Sequence, residues 1–203
     1  MSTSRMPRTI AMVWLAVLAV LALGVPGCAP PKEYDVSPPS FVDQSPIKLD
    51  VAEIRINNQF FPQGPGHAEN AFPTPPAEVV KLWASQRLRA AGHGKILEVV
   101  IEDASVIETK LKRKGGIEGD FTDEPSERYN ATIAVSLRIY GGDRGISEAN
   151  GETKVSRMKE ATEKMSVFAR REMFAQMSRD LGRQLDQSLT TQINQYFSNY
   201  LKF

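Results

Sequence analysis

The clearest pattern in the chain is a strict alternation of apolar and polar positions from Tyr129 to Ile139. The apolar positions are Tyr129, Ala131, Ile133, Val135, Leu137 and Ile139, and the polar ones include Asn130, Thr132, Ser136 and Arg138. Since successive side chains of a strand point to opposite faces, the pattern predicts a strand with one buried and one solvated face. Such a strand is typical of an antiparallel sheet.

Three further segments have strand-like patterns. Residues 47–56 alternate with a change of phase at Ala52-Glu53, which indicates a bulge. Residues 96–111 predict a second strand, with Leu97, Val99 and Ile101 on one face. Residues 147–158 predict a weaker strand that suits a sheet edge, with outward side chains at Glu148, Glu152 and Lys154.

Helical spacing occurs twice. The first predicted helix begins at Pro76 and ends near Gly92, because proline is favoured in a first turn and glycine after a last one. Its apolar face carries Val79, Leu82, Trp83 and Ala90. The second is a long amphipathic helix over about residues 164–201, with Gly182 as a weak point. Its apolar positions are Phe168, Phe174, Met177, Leu181, Leu185, Leu189, Ile193, Phe197 and Tyr200.

The predicted order is therefore β-α-β-β-β-α, and the predicted fold class is α+β. We expect a mostly antiparallel sheet with both helices on one face. Residues 47–203 contain no internal repeat and are expected to form a single domain.

The start of the chain has the organisation of a secretory signal peptide, assigned to residues 1–27. Residues 1–9 carry two arginines and no acid, residues 10–23 are uniformly apolar, and Gly24, Pro26 and Gly27 follow. The apolar run is shorter than the roughly 20 residues that a membrane-spanning helix needs. An uncleaved signal anchor is the alternative.

The single cysteine, Cys28, follows this run directly. Val25-Pro26-Gly27-Cys28 resembles the bacterial lipobox, with Pro26 a less usual residue at the variable position. The resemblance implies that the Cys28 sulfur carries a diacylglycerol, that cleavage falls between Gly27 and Cys28, and that the new amino group is acylated. It also implies that Cys28 is an anchor without a redox role and that the domain faces the periplasm. Position 29 is alanine rather than aspartate, which by the same resemblance favours the outer membrane over the inner one. The alternative is a stray buried cysteine.

Composition and net charge limit the kinds of partner and the way the domain is stabilised. Residues 28–46 are rich in proline and are expected to form an extended tether. The net charge of +1 becomes about −1 without residues 1–27, because two arginines leave and no acid does. A near-neutral domain gives no reason to expect nucleic acid as a partner. It must also be stable without disulfides.

Motifs for catalysis or cofactors are missing from the sequence. Two histidines, His67 and His93, do not provide the three or four ligands of a metal site. The stretch AAGHGK lacks the spacing of a phosphate-binding loop, and no G-x-S-x-G motif occurs. Paired acids such as Glu102-Asp103 are expected on opposite faces of a strand. We therefore expect a protein that is not an enzyme and has neither a cofactor nor a metal.

Two loops are candidate partner-binding sites. The loop 57–76 carries three aromatic residues that either cap the core or form a docking patch: Phe60, Phe61 and Phe72. The loop 112–128 segregates cations from acids, and either guides a partner or is a solvated hairpin tip. Its cations are Lys112, Arg113 and Lys114. The apolar chain end, with Tyr196 and Phe203, either packs on the sheet or binds a partner.

The whole arrangement is similar in architecture to small periplasmic lipoproteins. These include auxiliary lipoproteins of ABC-type lipid transport and the lipoprotein plug of lipopolysaccharide assembly. The resemblance implies an accessory subunit of an envelope complex, with a protein partner and a membrane anchor. The alternative is a periplasmic module that binds a lipid or another amphiphile between the sheet and the long helix.

Overall fold

Strand β6 (Pro125–Gly141) is the centre of the larger sheet in the computed structural model, which describes residues 33–112, 124–141 and 146–203. The predicted signal peptide, Gly27, Cys28, Arg113 and Lys114 lie outside the described residues. The prediction of a buried apolar face on β6 is confirmed, because its apolar side chains from Tyr129 to Ile139 are buried. Contrary to the prediction, the other face is not uniformly solvated: Asn130 is exposed and Arg138 is partly exposed, but Thr132 and Ser136 are buried.

Both edges of β6 are paired. One edge pairs with β7 (Ser147–Thr162) along nearly its whole length, antiparallel. The other edge pairs first with β5 (Val106–Lys110) and then with β4 (Lys95–Asp103), both antiparallel. Strand β2 (Glu53–Asn58) extends the sheet beyond β4 and runs parallel to it. The sheet is thus mostly antiparallel, as expected.

Strands β4 and β5 replace the single strand predicted over residues 96–111. The break lies at Ala104-Ser105, where the Ser105 N–H donates to Asp103 Oδ1 at 2.9 Å. This local side-chain bond turns the backbone and shifts the register against β6 between Ile101 and Asp103. The sequence pattern did not reveal the break because apolar residues continue on both sides of it.

A second, smaller sheet contains three short strands. Strand β1 (Ile47–Leu49) lies between β3 (Leu88–Ala90), which is parallel to it, and β8 (Leu201–Lys202), which is antiparallel. The prediction of a bulge at Ala52-Glu53 is therefore wrong. The phase change marks the point where the chain passes from the smaller sheet to the larger one. There the Ala52 N–H donates to the Lys95 carbonyl oxygen at 2.7 Å.

Helix α1 (Pro76–Arg87) begins at the predicted proline but ends earlier than predicted. Ala90 belongs to β3 and not to the helix, because β1 offers Leu88–Ala90 a hydrogen-bonding edge. Gly92 is required for close approach rather than as a helix cap. A Cβ atom there would lie 2.6 Å from the Asp50 carbonyl carbon.

Helix α2 (Val167–Tyr196) has 30 residues and is capped by Ser166, whose Oγ accepts a hydrogen bond from the Ala169 N–H at 3.1 Å. The predicted helix extends further, but residues 198–200 form a 3₁₀ turn that leads into β8. Gly182 does not break α2. A Cβ atom at Gly182 would lie 3.0 Å from Phe41 Cζ and 3.1 Å from Pro39 Cβ, so the glycine leaves room for these two residues.

The core lies between the two helices and the buried face of the larger sheet, which gives an α+β fold with both helices on one face. Trp83 from α1 and four residues from α2 are almost fully buried against the inward side chains of β6. The four residues of α2 are Leu181, Leu185, Leu189 and Ile193. Their burial confirms the predicted apolar face along the middle of the long helix, but Phe168, which was predicted on the same face, is exposed in the first turn.

Residues 34–46, here called the segment before β1, belong to the folded unit, although they were predicted as part of an extended tether. The compact unit begins at Tyr34, not at Ile47. Phe41 is buried, and its N–H donates to Gln86 Oε1 at 2.7 Å. Arg179 of α2 donates to the Ser37 carbonyl oxygen at 2.9 Å. Proline favours an extended chain, but burial of Phe41 over Gly182 places that chain on the helices.

One buried ion pair joins α1, α2 and this segment. Arg87 Nε lies 2.6 Å from Asp186 Oδ1, and Trp83 Nε1 donates to the same oxygen at 2.9 Å. Arg87 also donates to the Ser45 carbonyl oxygen and, at 3.4 Å, to Thr190 Oγ1. A single carboxylate thus satisfies two buried donors from the neighbouring helix.

We predict that Asp186→Ala lowers the free energy of unfolding by about 3–5 kcal/mol, because it leaves the buried Arg87 charge unpaired. The matched control is Asp180→Ala on the same helix, whose partner Arg183 is exposed. That change should cost less than about 1 kcal/mol. Urea unfolding of both variants measures the difference, and equal losses would contradict the role given to Asp186.

Candidate functional site

The aromatic loop, residues 59–75, runs along the outer edge of β5. The Ala68 N–H donates to the Val106 carbonyl oxygen at 2.9 Å, and the Glu108 N–H donates to the Gly66 carbonyl oxygen at 2.8 Å. These bonds close a strand edge that would otherwise present unpaired backbone groups. The loop therefore has a defined position on the sheet.

The three aromatic residues of this loop have different environments. Phe72 is buried and stacks on Phe174 of α2, with 4.5 Å between the ring centroids. Phe60 is partly buried and lies 6.3 Å from the His67 ring. Phe61 is 72% exposed. Phe72 thus caps the core, and Phe61 presents its ring to solvent and remains the predicted docking residue.

His67 and Glu69 form a pair that fastens the same loop. His67 Nδ1 lies 2.6 Å from Glu69 Oε1, and His67 Nε2 lies 2.9 Å from the Gln63 carbonyl oxygen. The same Glu69 oxygen accepts the Val106 N–H at 2.8 Å. Because both ring nitrogens are bonded within the loop, the pair is placed to hold backbone rather than to transfer a proton.

These bonds shift the ionisation of both groups. The hydrogen bond to Glu69, with that to Gln63, raises the pKa of His67 above its ordinary value. Burial disfavours the charged form of Glu69, but the hydrogen bonds from His67 and Val106 outweigh it and lower the pKa of Glu69. The sequence places the two residues two positions apart, but only the fold brings Val106 to the carboxylate.

Lys112 is exposed and lies just beyond β5, where the Leu111 N–H donates to the Ser126 carbonyl oxygen at 2.8 Å. Strand β7 ends at the same place, since Thr162 pairs with Pro125. Helix α2 begins five residues later, at Val167. The predicted cationic loop therefore starts at the end of the sheet from which the long helix departs.

A hydrogen-bonded cluster fixes the start of α2 to β6 at this end. Tyr129 donates to Glu127 Oε2 at 2.9 Å, and Arg170 donates to Tyr129 Oη at 2.8 Å and to the Glu127 carboxylate. Burial, with the hydrogen bond to Glu127, raises the pKa of Tyr129 to about 12. The phenol therefore stays neutral at physiological pH and donates a hydrogen bond to the Glu127 carboxylate.

Two open grooves flank the segment before β1. The first, of about 390 Å³, lies between this segment and α2 and is lined by Pro39, Ser40, Phe41, Gln44, Arg179, Arg183, Asp186 and Gln187. The second, of about 510 Å³, lies beside Asp35 between the end of β7 and the start of α2. Both linings include charged side chains. Between the sheet and α2, where an amphiphile was expected as the alternative ligand, buried leucine side chains such as Leu185 fill the space.

Within the described ranges, no group of three or more histidine, cysteine or acidic side chains could hold a metal ion. In that same part of the chain, no helix has the length and apolar character needed to cross a membrane.

No family model and no curated protein matches this chain. Among solved structures, a minor lipoprotein from Acinetobacter baumannii is 10% identical with a TM-score of 0.36, covering 74% of this chain and 96% of that one. The rare lipoprotein B from Shewanella oneidensis is 11% identical with a TM-score of 0.34, covering 70% and 97%. A protein from Caulobacter crescentus CB15 is 13% identical with a TM-score of 0.32, covering 68% and 88%. Similarities at this level assign neither a family nor a function to the chain.

We predict that Phe72→Ala lowers the stability of the fold and that Phe61→Ala does not, because only the Phe72 ring caps the core. Phe72→Ala should lower the free energy of unfolding by about 3–5 kcal/mol, because it opens a cavity beside Phe174. Phe61→Ala should change it by no more than about 0.5 kcal/mol, because the ring is exposed. Urea unfolding measures both. A large loss for Phe61→Ala would show that its ring belongs to the core.

A second prediction concerns pH. Because the pKa of His67 is raised in the folded state, its stabilising effect is present below about pH 6.5 and is lost as the pH rises through the folded-state pKa. The lowered pKa of Glu69 keeps the carboxylate charged above about pH 4.5. The loss of stability in His67→Asn should therefore be larger near pH 6 than near about pH 9.

Urea unfolding midpoints of wild type and variant at the two pH values test this. His93→Asn is the matched control, since His93 is an exposed histidine between β3 and β4 and lies outside this loop. A loss for His67→Asn that grows with pH would contradict the prediction.

Proposed function

We propose that this chain is a non-enzymatic bacterial lipoprotein, anchored through Cys28 and facing the periplasm, with the outer membrane as its site. The observation that carries the proposal is the stretch VPGC at residues 25–28, directly after the basic start and the apolar run of a signal peptide. Two or more acyl chains anchor a protein stably to a membrane, whereas one chain binds only marginally. A triacylated Cys28 meets that requirement.

We also propose that the folded unit acts as an accessory subunit of a larger envelope complex. The exposed Phe61 supports this part, because an exposed aromatic ring on a loop that is hydrogen-bonded to β5 is suited to bind a protein surface. The filled space between the sheet and α2 makes a docking role the better supported of the two functions considered.

The experiment is expression of wild type and Cys28→Ser in a Gram-negative bacterium, with fractionation of the membranes and mass spectrometry of the N-terminal peptide. Wild type should carry a diacylglycerol and an amide-linked acyl chain on Cys28 and should float with the outer membrane. Cys28→Ser should retain residues 1–27 and carry no lipid. Ala29→Ser is the matched control, since it alters the neighbouring residue and keeps the thiol.

The accessory role is tested by cross-linking in the same membranes, followed by affinity recovery of wild type, Cys28→Ser and Phe61→Ser. A specific envelope complex should be recovered with wild type and reduced with both variants. An unmodified Cys28 would overturn the anchored lipoprotein. Recovery of lipid alone, without a protein complex, would overturn the accessory role and favour the amphiphile-binding module.

A further inference from the structure

The first turn of α2 presents an apolar surface that the fold does not cover. Val167 is 73% exposed and Phe168 is 66% exposed. The ring of Tyr34 stacks on Phe168, with 5.9 Å between the centroids. Large apolar side chains that are exposed together in this way mark a surface that contacts something else.

This surface is held in place rather than loosely attached. Ser166 caps the helix, and the next turn is tied to β6 by Arg170 through Glu127 and Tyr129. The segment that carries Tyr34 is also fixed, because the Asp35 N–H donates to Glu172 Oε1 at 3.3 Å and Arg179 bonds the carbonyl oxygen of Ser37. The apolar side chains therefore keep one orientation relative to the sheet.

Three exposed cations lie at the end of the sheet from which α2 departs. Lys112, Lys164 and Arg171 are exposed, and within the described ranges none of the three has a hydrogen bond or ion pair. Most acids at this end have partners: Glu127 pairs with Arg170, Glu160 with Arg128 and Asp35 with Arg179. Glu172 accepts the Asp35 N–H, and Glu163 also has a partner. Glu33, next to Tyr34, is exposed. The cations are thus available to anionic groups outside the protein.

The position of Cys28 in the sequence indicates which structure this surface contacts. Tyr34 follows Cys28 by six residues, and a fully extended chain of that length spans at most about 22 Å. A lipid-bearing Cys28 in a membrane therefore keeps Tyr34, and Phe168 beneath it, close to the lipid headgroups. The far end of α2, at Tyr196, lies about 42 Å away along the helix axis.

We propose that the surface formed by Tyr34, Val167 and Phe168 lies on the membrane that carries the anchor, with Lys112, Lys164 and Arg171 facing anionic headgroups. Exposed apolar side chains together with exposed cations are the composition that binds a lipid interface. The inference rests on the lipidation proposed above. It goes beyond it by giving the domain one orientation, with the start of α2 at the membrane and its end directed away.

The test uses the full chain, purified in its lipidated form and placed in vesicles of phosphatidylethanolamine and phosphatidylglycerol with brominated acyl chains. Phe168→Trp puts an indole in the proposed contact, and Tyr196→Trp is the matched control at the other end of the same helix. Trp83 is fully buried and reports the fold in both variants, and Trp14 leaves with the signal peptide. Bromine quenches indole emission only on close contact.

We expect Phe168→Trp to lose emission in brominated vesicles relative to unbrominated ones, with no such loss for wild type or Tyr196→Trp. If the protein floats with the vesicles but bromine does not selectively quench the indole at position 168, the proposed membrane contact is overturned. The proposed anchoring through Cys28 would still hold. Protection of the new indole from acrylamide without quenching by bromine would show that a second copy covers the surface, and would also overturn it. A chain that carries no lipid and does not float would overturn the proposed anchoring and this inference with it.

Discussion

Backbone pairing along both edges of β6 sets the position of the other strands and of the two helices. Its first half pairs with β5 and its second half with β4, while β7 follows its other edge along nearly its whole length. A strand paired on both sides has a fixed register, because a slip of one residue would turn every buried side chain to the solvent. The apolar face of β6 is thereby fixed in space, and both helices pack on it.

Helix α2 is placed by that face and by a polar contact that specifies its partner. The leucines of α2 need only an apolar surface, and such burial is not directional. Asp186 adds direction, because its carboxylate satisfies Arg87 and Trp83 on α1. Gly182 then leaves the space into which Phe41 and Pro39 fit. The segment before β1 consequently lies on the helices, and its first described residues lie beside the start of α2.

These placements connect the fold to the proposed function. Residues 35–41 are bonded to α1 and α2, so the described part of the chain nearest in sequence to Cys28 has a fixed position on the helices. The aromatic loop along β5 has its own fixed position, held by His67 and Glu69. In the proposed function, this arrangement would give the exposed Phe61 a defined position relative to the start of α2.

Local signals in the sequence were enough to predict four features: the buried face of β6, the periodicity of α2, the proline that begins α1 and the lipobox-like stretch at Cys28. The other features depend on contacts between residues that are distant in the chain. Whether residues 88–90 continue a helix or form β3 depends on the edge that distant β1 provides, and whether Phe72 or Phe61 is buried depends on the position of Phe174. The contact of Tyr34 with Phe168 likewise joins residues far apart in the chain. A periodic pattern shows which face of an element seeks burial, but which surface covers that face is set by long-range packing, which no local pattern encodes.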